Sequence, residues 1–484
     1  MSALLNRPSA RWWALAVLAM VELVVVLDST IVTIALAQAQ AELGMTDGQR
    51  QWVVTAYALA FGALLLLGGR IADYWGRKRT FMVGMVGFGA ASLWGGLAQS
   101  GLELIIARGV QGAFAALLAP AALAMLTVTF SQGRERNLAF AIFGTVAGTG
   151  AAIGLILGGV LTEFADWRWC LLVNLVFVVI GLVGGALLLR ESRAEGDNTY
   201  DLWGALTVTL GLGSLVYGFT LAEHGWGSLD TIGFLALGVV LLVAFVLIER
   251  TAKNPLLPLH VLLHRVRGGA VLIQTAIGAV MIGAMLYLTF YFQLVLGMGP
   301  LVSGLANLAM TVVIFACTPV VTILLNRFGP RPLMIAGPLL TAAGLFVLLG
   351  ITPDGNYWVQ VLPALVLLGI GLSMLFVPVQ NLALLGVEPN DAGVASAVVN
   401  SAFNIGGSIG LAVFTVLYTS TMTGSLELGA DQLTAFTDGY RIAFLAAGIT
   451  MVAAAGVGFG LIRGTKEQLM PTWDDEDAAV TRAH

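Results

Sequence analysis

Charge is what this chain of 484 residues has least of: Asp, Glu, Lys and Arg make up 10% of it, against 58% apolar residues and a mean hydropathy of +0.92. Soluble domains carry about a quarter charged residues, so a water-facing globular protein is excluded and a membrane protein is indicated. Lysine is scarcest, three against twenty arginines, which points to a GC-rich bacterial genome. The two cysteines, Cys170 and Cys317, both fall in apolar stretches, so no disulfide framework is implied. No Gly-x4-Gly-Lys-Ser/Thr loop occurs, which argues against direct ATP drive, and Gly148-Thr149-Gly150 lacks the third glycine of a dinucleotide fingerprint. No Ser-His-Asp or metal-ligand constellation stands out. His260 and His264 are four apart, but in a short connector with no nearby acid or cysteine. An enzyme is therefore not expected, and neither is a metal, a cofactor or a nucleic-acid partner. The first apolar run resembles a signal segment, with Ala35-Leu36-Ala37 as a cleavage site, yet Trp12 to Ala37 is too long and many more runs follow.

A hydrocarbon core takes about 20 apolar residues per helix. Fourteen such helices are predicted, at 12–36, 51–69, 80–98, 102–129, 138–162, 169–189, 203–222, 231–249, 268–292, 303–325, 333–351, 359–385, 393–420 and 439–463. An even number puts both termini on one side. If that side is cytoplasmic, only Arg50, Arg168 and Arg441 lie outside and only Arg108 within a span, so nineteen of the 23 Lys and Arg are cytoplasmic. This is the positive-inside pattern. The acidic tail, Trp473-Asp474-Asp475-Glu476-Asp477, is expected to be disordered.

Gly69-Arg70-Ile71-Ala72-Asp73-Tyr74-Trp75-Gly76-Arg77-Lys78-Arg79 joins the second and third helices. A degraded echo, Asn326-Arg327-Phe328-Gly329-Pro330-Arg331, joins the tenth and eleventh. The repeat predicts an N-terminal six-helix bundle over 12–189, two inserted helices over 203–249, a C-terminal six-helix bundle over 268–463 and a cytoplasmic tail over 464–484. Parallel halves of this kind are a known transporter plan.

Deep inside the spans stand only two acids, Glu22 and Asp28, both in the first. A carboxylate in hydrocarbon is costly and by default functional, and it is able to take up a proton. Six residues apart, the two lie about 120° apart around the helix and roughly 9 Å along it, so they form no tight dyad. Arg108 is the one cation well inside a span, about 9 Å from the start of its helix and at a depth similar to Asp28 on an opposite-running helix. The expectation is that Arg108 lies beside Asp28 and favours its ionised form, while the apolar surroundings of Glu22 favour its protonated form. Two readings stay open for these acids: proton carriers, or groups that lock helices together.

The loop at Gly69 to Arg79 resembles the signature of the major facilitator superfamily. Leu27-Asp28-Ser29-Thr30, Gln51-Trp52-Val53-Val54-Thr55-Ala56-Tyr57, Arg108-Gly109-Val110-Gln111-Gly112 and Trp167-Arg168-Trp169 with Asn174 are similar to motifs of its fourteen-span drug:proton antiporters. The resemblance implies an all-α membrane protein with two six-helix bundles plus two central helices, fourteen transmembrane helices in all, and both termini cytoplasmic. It implies proton relay through Arg108, gating by Gly69, Asp73, Gly76, Arg77 and Lys78, and packing of helix 5 against the opposite half through Gly150, Gly154, Gly158 and Gly159. The chain departs from the pattern in helix 5, where Leu155 follows Gly154 in place of proline, so little kink is expected there.

The function expected is a proton-driven exporter of lipophilic small molecules, drugs or antibiotics, cationic or zwitterionic because the acids line the first half. It needs no cofactor, works as a monomer and sits in the bacterial plasma membrane. Proton coupling is assigned to Asp28, Glu22 and Arg108. The substrate cavity is expected near the midplane, lined by Glu22, Tyr57, Tyr287, Tyr291, Asn307, Gln380 and Asn404, with Phe290, Gln293, Asn381 and Asn400 as further candidates. Import of a metabolite by proton symport, and export of a lipid, are the alternatives.

Overall fold

A computed structural model describes residues 8–130, 134–193, 201–222, 225–252, 255–257, 263–387 and 392–470. The acidic tail and His260 lie outside them. Every regular element among the described residues is helical. Among the described residues fourteen long helices follow one another: α1 Pro8–Leu43, α2 Asp47–Trp75, α3 Arg77–Gly96, α4 Gly101–Thr129, α5 Arg134–Phe164, α6 Trp169–Leu188 and α7 Leu202–Leu221, then α8 Leu229–Thr251, α9 Arg265–Val295, α10 Pro300–Phe328, α11 Pro330–Val347, α12 Tyr357–Ala383, α13 Ala392–Glu427 and α14 Gln432–Leu461. Thirteen are both long and apolar enough to cross a membrane. The remaining one, α3, is diluted by its glycines and by Arg77, Lys78 and Arg79 in its first turn.

The junctions show why the chain turns where it does. Thr46 and Gln49 form a reciprocal capping box that starts α2. Ser100, Ser228 and Asp431 cap α4, α8 and α14 with side-chain oxygens. Pro300 and Pro330 open α10 and α11, where the missing N–H has no partner to lose. The two loops of the sequence repeat turn on the same device. Gly76 between α2 and α3 has φ +127°, and Gly329 between α10 and α11 has φ +77°, values that a side chain disfavours.

Helices α1–α6 make one bundle and α9–α14 the other. They meet along two seams, α2 against α13 and α5 against α10. The repeat pairs α2 with α10 and α5 with α13, so each seam is the image of the other. The inserted hairpin α7–α8 lies over the first seam. Leu212 and Val216 of α7 pack with Leu59 and Ala63 of α2 and Ala412 of α13, and Trp52 Nε1 donates to Thr220 Oγ1 at 3.2 Å.

The halves are tied at the end remote from the termini. Gln293 Nε2 of α9 donates to Ile34 O of α1 at 3.1 Å, and Leu301 N of α10 donates to Glu163 Oε2 of α5 at 2.9 Å. The Arg50 guanidinium of α2 lies 3.8 Å from the centre of the Phe290 ring of α9. Along α1, the positions left at least partly accessible at mid-helix are Glu22, Leu23, Val26, Ser29 and Thr30, which share one face of the helix.

Candidate functional site

Asp28 is completely enclosed, and three donors hold its carboxylate. Arg108 Nη1 lies 2.5 Å from Oδ2, Gln111 Nε2 lies 2.8 Å from Oδ1 and Asn174 Nδ2 lies 2.6 Å from Oδ1. The donors come from α4 and α6, so one carboxylate ties three helices. Arg108 also donates to Gln111 Oε1 at 2.6 Å and to Val53 O at 3.4 Å. Its guanidinium carbon stands 4.3 Å from the centre of the Tyr57 ring. Gln111 reaches Ser92 Oγ of α3 at 2.7 Å. The arrangement is a charge-assisted network with nearly every polar atom used, the condition under which a buried ion pair is tolerated.

Local sequence explains how the donors arrive. Arg108 and Gln111 are three apart and so share one face of α4. Gly112 brings α4 against α2: a Cβ there would stand 2.4 Å from Tyr57 O. Asn174 follows a break in α6 at Val173, where the helix is interrupted between Leu172 and Asn174. Gln111 and Asn174 stand in the motifs the sequence offers, without a role assigned. Ser92 escaped notice, since a lone serine among glycines and alanines gives no signal.

Glu22 is the opposite case. It is half-buried, and no hydrogen bond or ion pair reaches it among the described residues. A second buried acid besides Asp28, Glu249, sits at the end of α8 and accepts from Leu257 N at 3.0 Å. Its position at the edge of a span kept it from view in the sequence.

The residues expected to line a midplane cavity are scattered. Tyr57 is buried beneath Arg108, and its hydroxyl donates to Val25 O at 3.3 Å. Tyr287 and Tyr291 are buried toward the remote end, their hydroxyls engaged by Thr415 and by Thr352 O. Asn307 is buried and donates to Thr289 Oγ1 at 3.0 Å. These four therefore form packed bonds, not an open wall, because three polar tips find a partner on a neighbouring helix and Tyr291 finds one in the connection between α11 and α12. Phe290 is buried with them, and Gln293 is spent on Ile34. Gln380 and Asn404 are half-buried and Asn381 and Asn400 exposed, with Asn404 Nδ2 donating to Asn400 O at 3.0 Å.

The glycines of α5 also differ from the expectation. A Cβ on Gly150, Gly154 or Gly158 would stand 3.1, 2.9 or 2.9 Å from Leu23 O, Leu27 O or Ile31 O of α1, the same half of the molecule. Only Gly159 of the four faces the opposite half, 2.6 Å from Leu301 Cα of α10. The spacing of four keeps the stripe on one face, and that face belongs to α1.

The loop from Gly69 to Arg79 is pinned mostly to its own half, with Arg70 Nη2 reaching Pro255 O of the connection between α8 and α9 at 3.1 Å. Asp73 Oδ1 accepts from Arg77 Nη2 at 2.8 Å. Glu191, beyond α6, caps α3 by accepting from Lys78 N at 3.1 Å and Arg79 N at 3.2 Å. Lys78 Nζ in turn donates to Ala186 O and Leu189 O at the end of α6, at 2.9 and 2.8 Å. Each charge thus meets the helix end of opposite polarity. Gly69 sits against Pro120 of α4, 3.6 Å from where its Cβ would be. Glu191→Ala is expected to lower stability by about 1–2 kcal/mol, as loss of a cap does; an unchanged melting temperature in detergent would show that the carboxylate does not hold the loop.

The model of the Major Facilitator Superfamily matches residues 18–411. The puromycin resistance protein pur8 of Streptomyces alboniger is 44% identical over 92% of this chain and 90% of its own. The cephamycin export protein CmcT of Amycolatopsis lactamdurans is 37% identical, over 93% and 92% of the two chains. Among solved structures, the peptide transporter POT in complex with sulfate superposes with a TM-score of 0.64 at 17% identity, covering 93% of this chain and 96% of that one. A bacterial homologue of the lysosomal transporter Spinster, inward-facing and unoccupied, gives 0.63 at 15% identity, over 94% and 97%.

Proposed function

This chain belongs to the Major Facilitator Superfamily, a bacterial plasma-membrane transporter and not an enzyme, and we propose that it exports lipophilic, cationic or zwitterionic small molecules in exchange for protons. The observation that carries the reading is the contrast within α1. Asp28 is held by a cation and two amides, whereas Glu22, six residues earlier, has no partner and stays accessible. A fully partnered carboxylate anchors; an unpartnered one is free to exchange a proton or to meet a cation. Relatives named for antibiotic resistance and export support the direction of transport.

In this reading the tie between the halves at the remote end leaves the path open from the side of the termini, and the arginine distribution supports a cytoplasmic position for that side. Substrate enters along the stripe of Glu22, Val26 and Ser29, and its positive group meets the Glu22 carboxylate. After the halves rock, a proton from outside neutralises Glu22 and releases the cation. The Asp28–Arg108 network keeps α1, α4 and α6 together while this happens. No cofactor is required, because the proton gradient supplies the drive, and one chain suffices.

The test is reconstitution in liposomes under an imposed pH gradient, with substrate-dependent proton flux as the readout. Wild type is expected to couple flux to export of a lipophilic cation such as ethidium. Glu22→Gln is expected to lose at least ten-fold of the coupled flux while the protein stays folded. Flux unchanged in Glu22→Gln would remove Glu22 from the mechanism.

A further inference from the structure

Resting on that reading of the chain as an exporter of cations, we propose a second cation site at the remote end: a tyrosine box that Arg50 occupies when that end is closed and that the substrate occupies on its way out. The box is built from Phe290 and Tyr287 of α9, Tyr418 of α13 and Tyr440 of α14. Tyr418 and Tyr440 stack with ring centres 5.2 Å apart, and Tyr287 lies 5.3 Å from the first and 6.0 Å from the second. Arg50, from the other half, is buried with its guanidinium 3.8 Å from the centre of the Phe290 ring. Arg50 and its partner Asp47 are both charged neighbours of the three tyrosine hydroxyls. From behind, Gln40 Oε1 at 2.7 Å and Asp47 Oδ1 at 3.2 Å hold Arg50.

Two features mark this as more than packing. The Tyr418 and Tyr440 hydroxyls are buried beside each other and beside Arg50 without a well-formed hydrogen bond. A purely structural cluster pairs such groups, as Tyr287 is paired with Thr415. The cluster is also divided between the halves, cation on one and rings on the other. When the halves part at this end, Arg50 leaves with α2, and the Phe290 ring face and the rims of the three tyrosines are left without a cation. Aromatic cages recognise organic cations through the ring face, with or without hydrogen bonding. Arg50 is thus a tethered stand-in for the cationic group of the substrate. Its return expels the substrate and reseals the end.

Binding of radiolabelled tetraphenylphosphonium to the detergent-solubilised full chain tests this. Arg50→Gln is expected to bind one equivalent more than wild type. Arg50→Lys, which keeps a cation in the box, is expected to match wild type. In the Arg50→Gln background, Tyr418→Leu with Tyr440→Leu is expected to lose the extra equivalent, whereas Tyr418→Phe with Tyr440→Phe keeps it. No extra equivalent in Arg50→Gln, or one that survives the leucine pair, would overturn the box. The exporter reading is judged separately by wild-type proton flux. An extra, ring-dependent equivalent in a protein whose wild type shows no flux would leave the box standing and remove the transport cycle from around it.

Discussion

Arg108→Ala is expected to cost about 3–5 kcal/mol of stability, the range seen when one partner of a buried ion pair is removed. The Asp28 carboxylate would keep only Gln111 and Asn174, two neutral donors, in a place that no water reaches. Arg108→Lys is expected to fall between the two. An ammonium cannot span Asp28, Gln111 Oε1 and Val53 O as the guanidinium fork does, and it cannot lie flat on Tyr57. Replacing both partners, Asp28→Leu with Arg108→Met, is expected to recover at least half of the lost stability, since an apolar pair of similar volume leaves no charge stranded. Coupled transport is expected to stay lost in all three. Unfolding in mild detergent and proton flux in liposomes read the two effects apart. Full transport by the double variant would show the pair to be dispensable to coupling, and an unchanged stability in Arg108→Ala would show that Asp28 is not sealed.

That pair was legible in the sequence for a simple reason. Only one cation and two acids lie deep inside apolar spans, and the spans fix their depth, so Arg108 and Asp28 had few alternatives. The fourteen helices were legible on the same ground, hydrocarbon thickness setting their length. Membership of α5 in a glycine-mediated contact was visible as well, but not its partner. Periodicity says which residues share a face and nothing about which helix meets it, and here the face of Gly150, Gly154 and Gly158 meets α1. Four members of the expected cavity lining, Tyr57, Tyr287, Tyr291 and Asn307, are packed away for a related reason. Polar groups avoid lipid, which turns Tyr287 and Asn307 inward. Inward, however, includes helix–helix seams, and there both side chains find partners. Glu191 was beyond reach because its role depends on α6 ending beside the start of α3.

The contact between α1 and α5 carries the second large effect. Gly154→Val is expected to abolish coupled transport and to lower stability by about 3 kcal/mol, the upper part of the range for overpacking. A Cβ at this position would stand 2.0 Å from Thr30 Oγ1 and 2.9 Å from Leu27 O. The threonine is able to rotate only by giving up its own bond to Leu27 O. The carbonyl cannot move without α1. Leu27 precedes Asp28, so a shift that relieves the clash pulls the carboxylate away from donors 2.5–2.8 Å distant. Sites of this kind tolerate displacements of only about 0.5 Å. The control lies on the same helix. Gly144 has open space where its Cβ would be, so Gly144→Ala is expected to leave transport intact and to change stability by no more than about 1 kcal/mol, with alanine the better helix former. Gly154→Val transporting at the wild-type rate would mean that α1 and α5 separate freely during the cycle. In that case the network at Asp28 is held by α4 and α6 alone, and the anchor of the first half lies there.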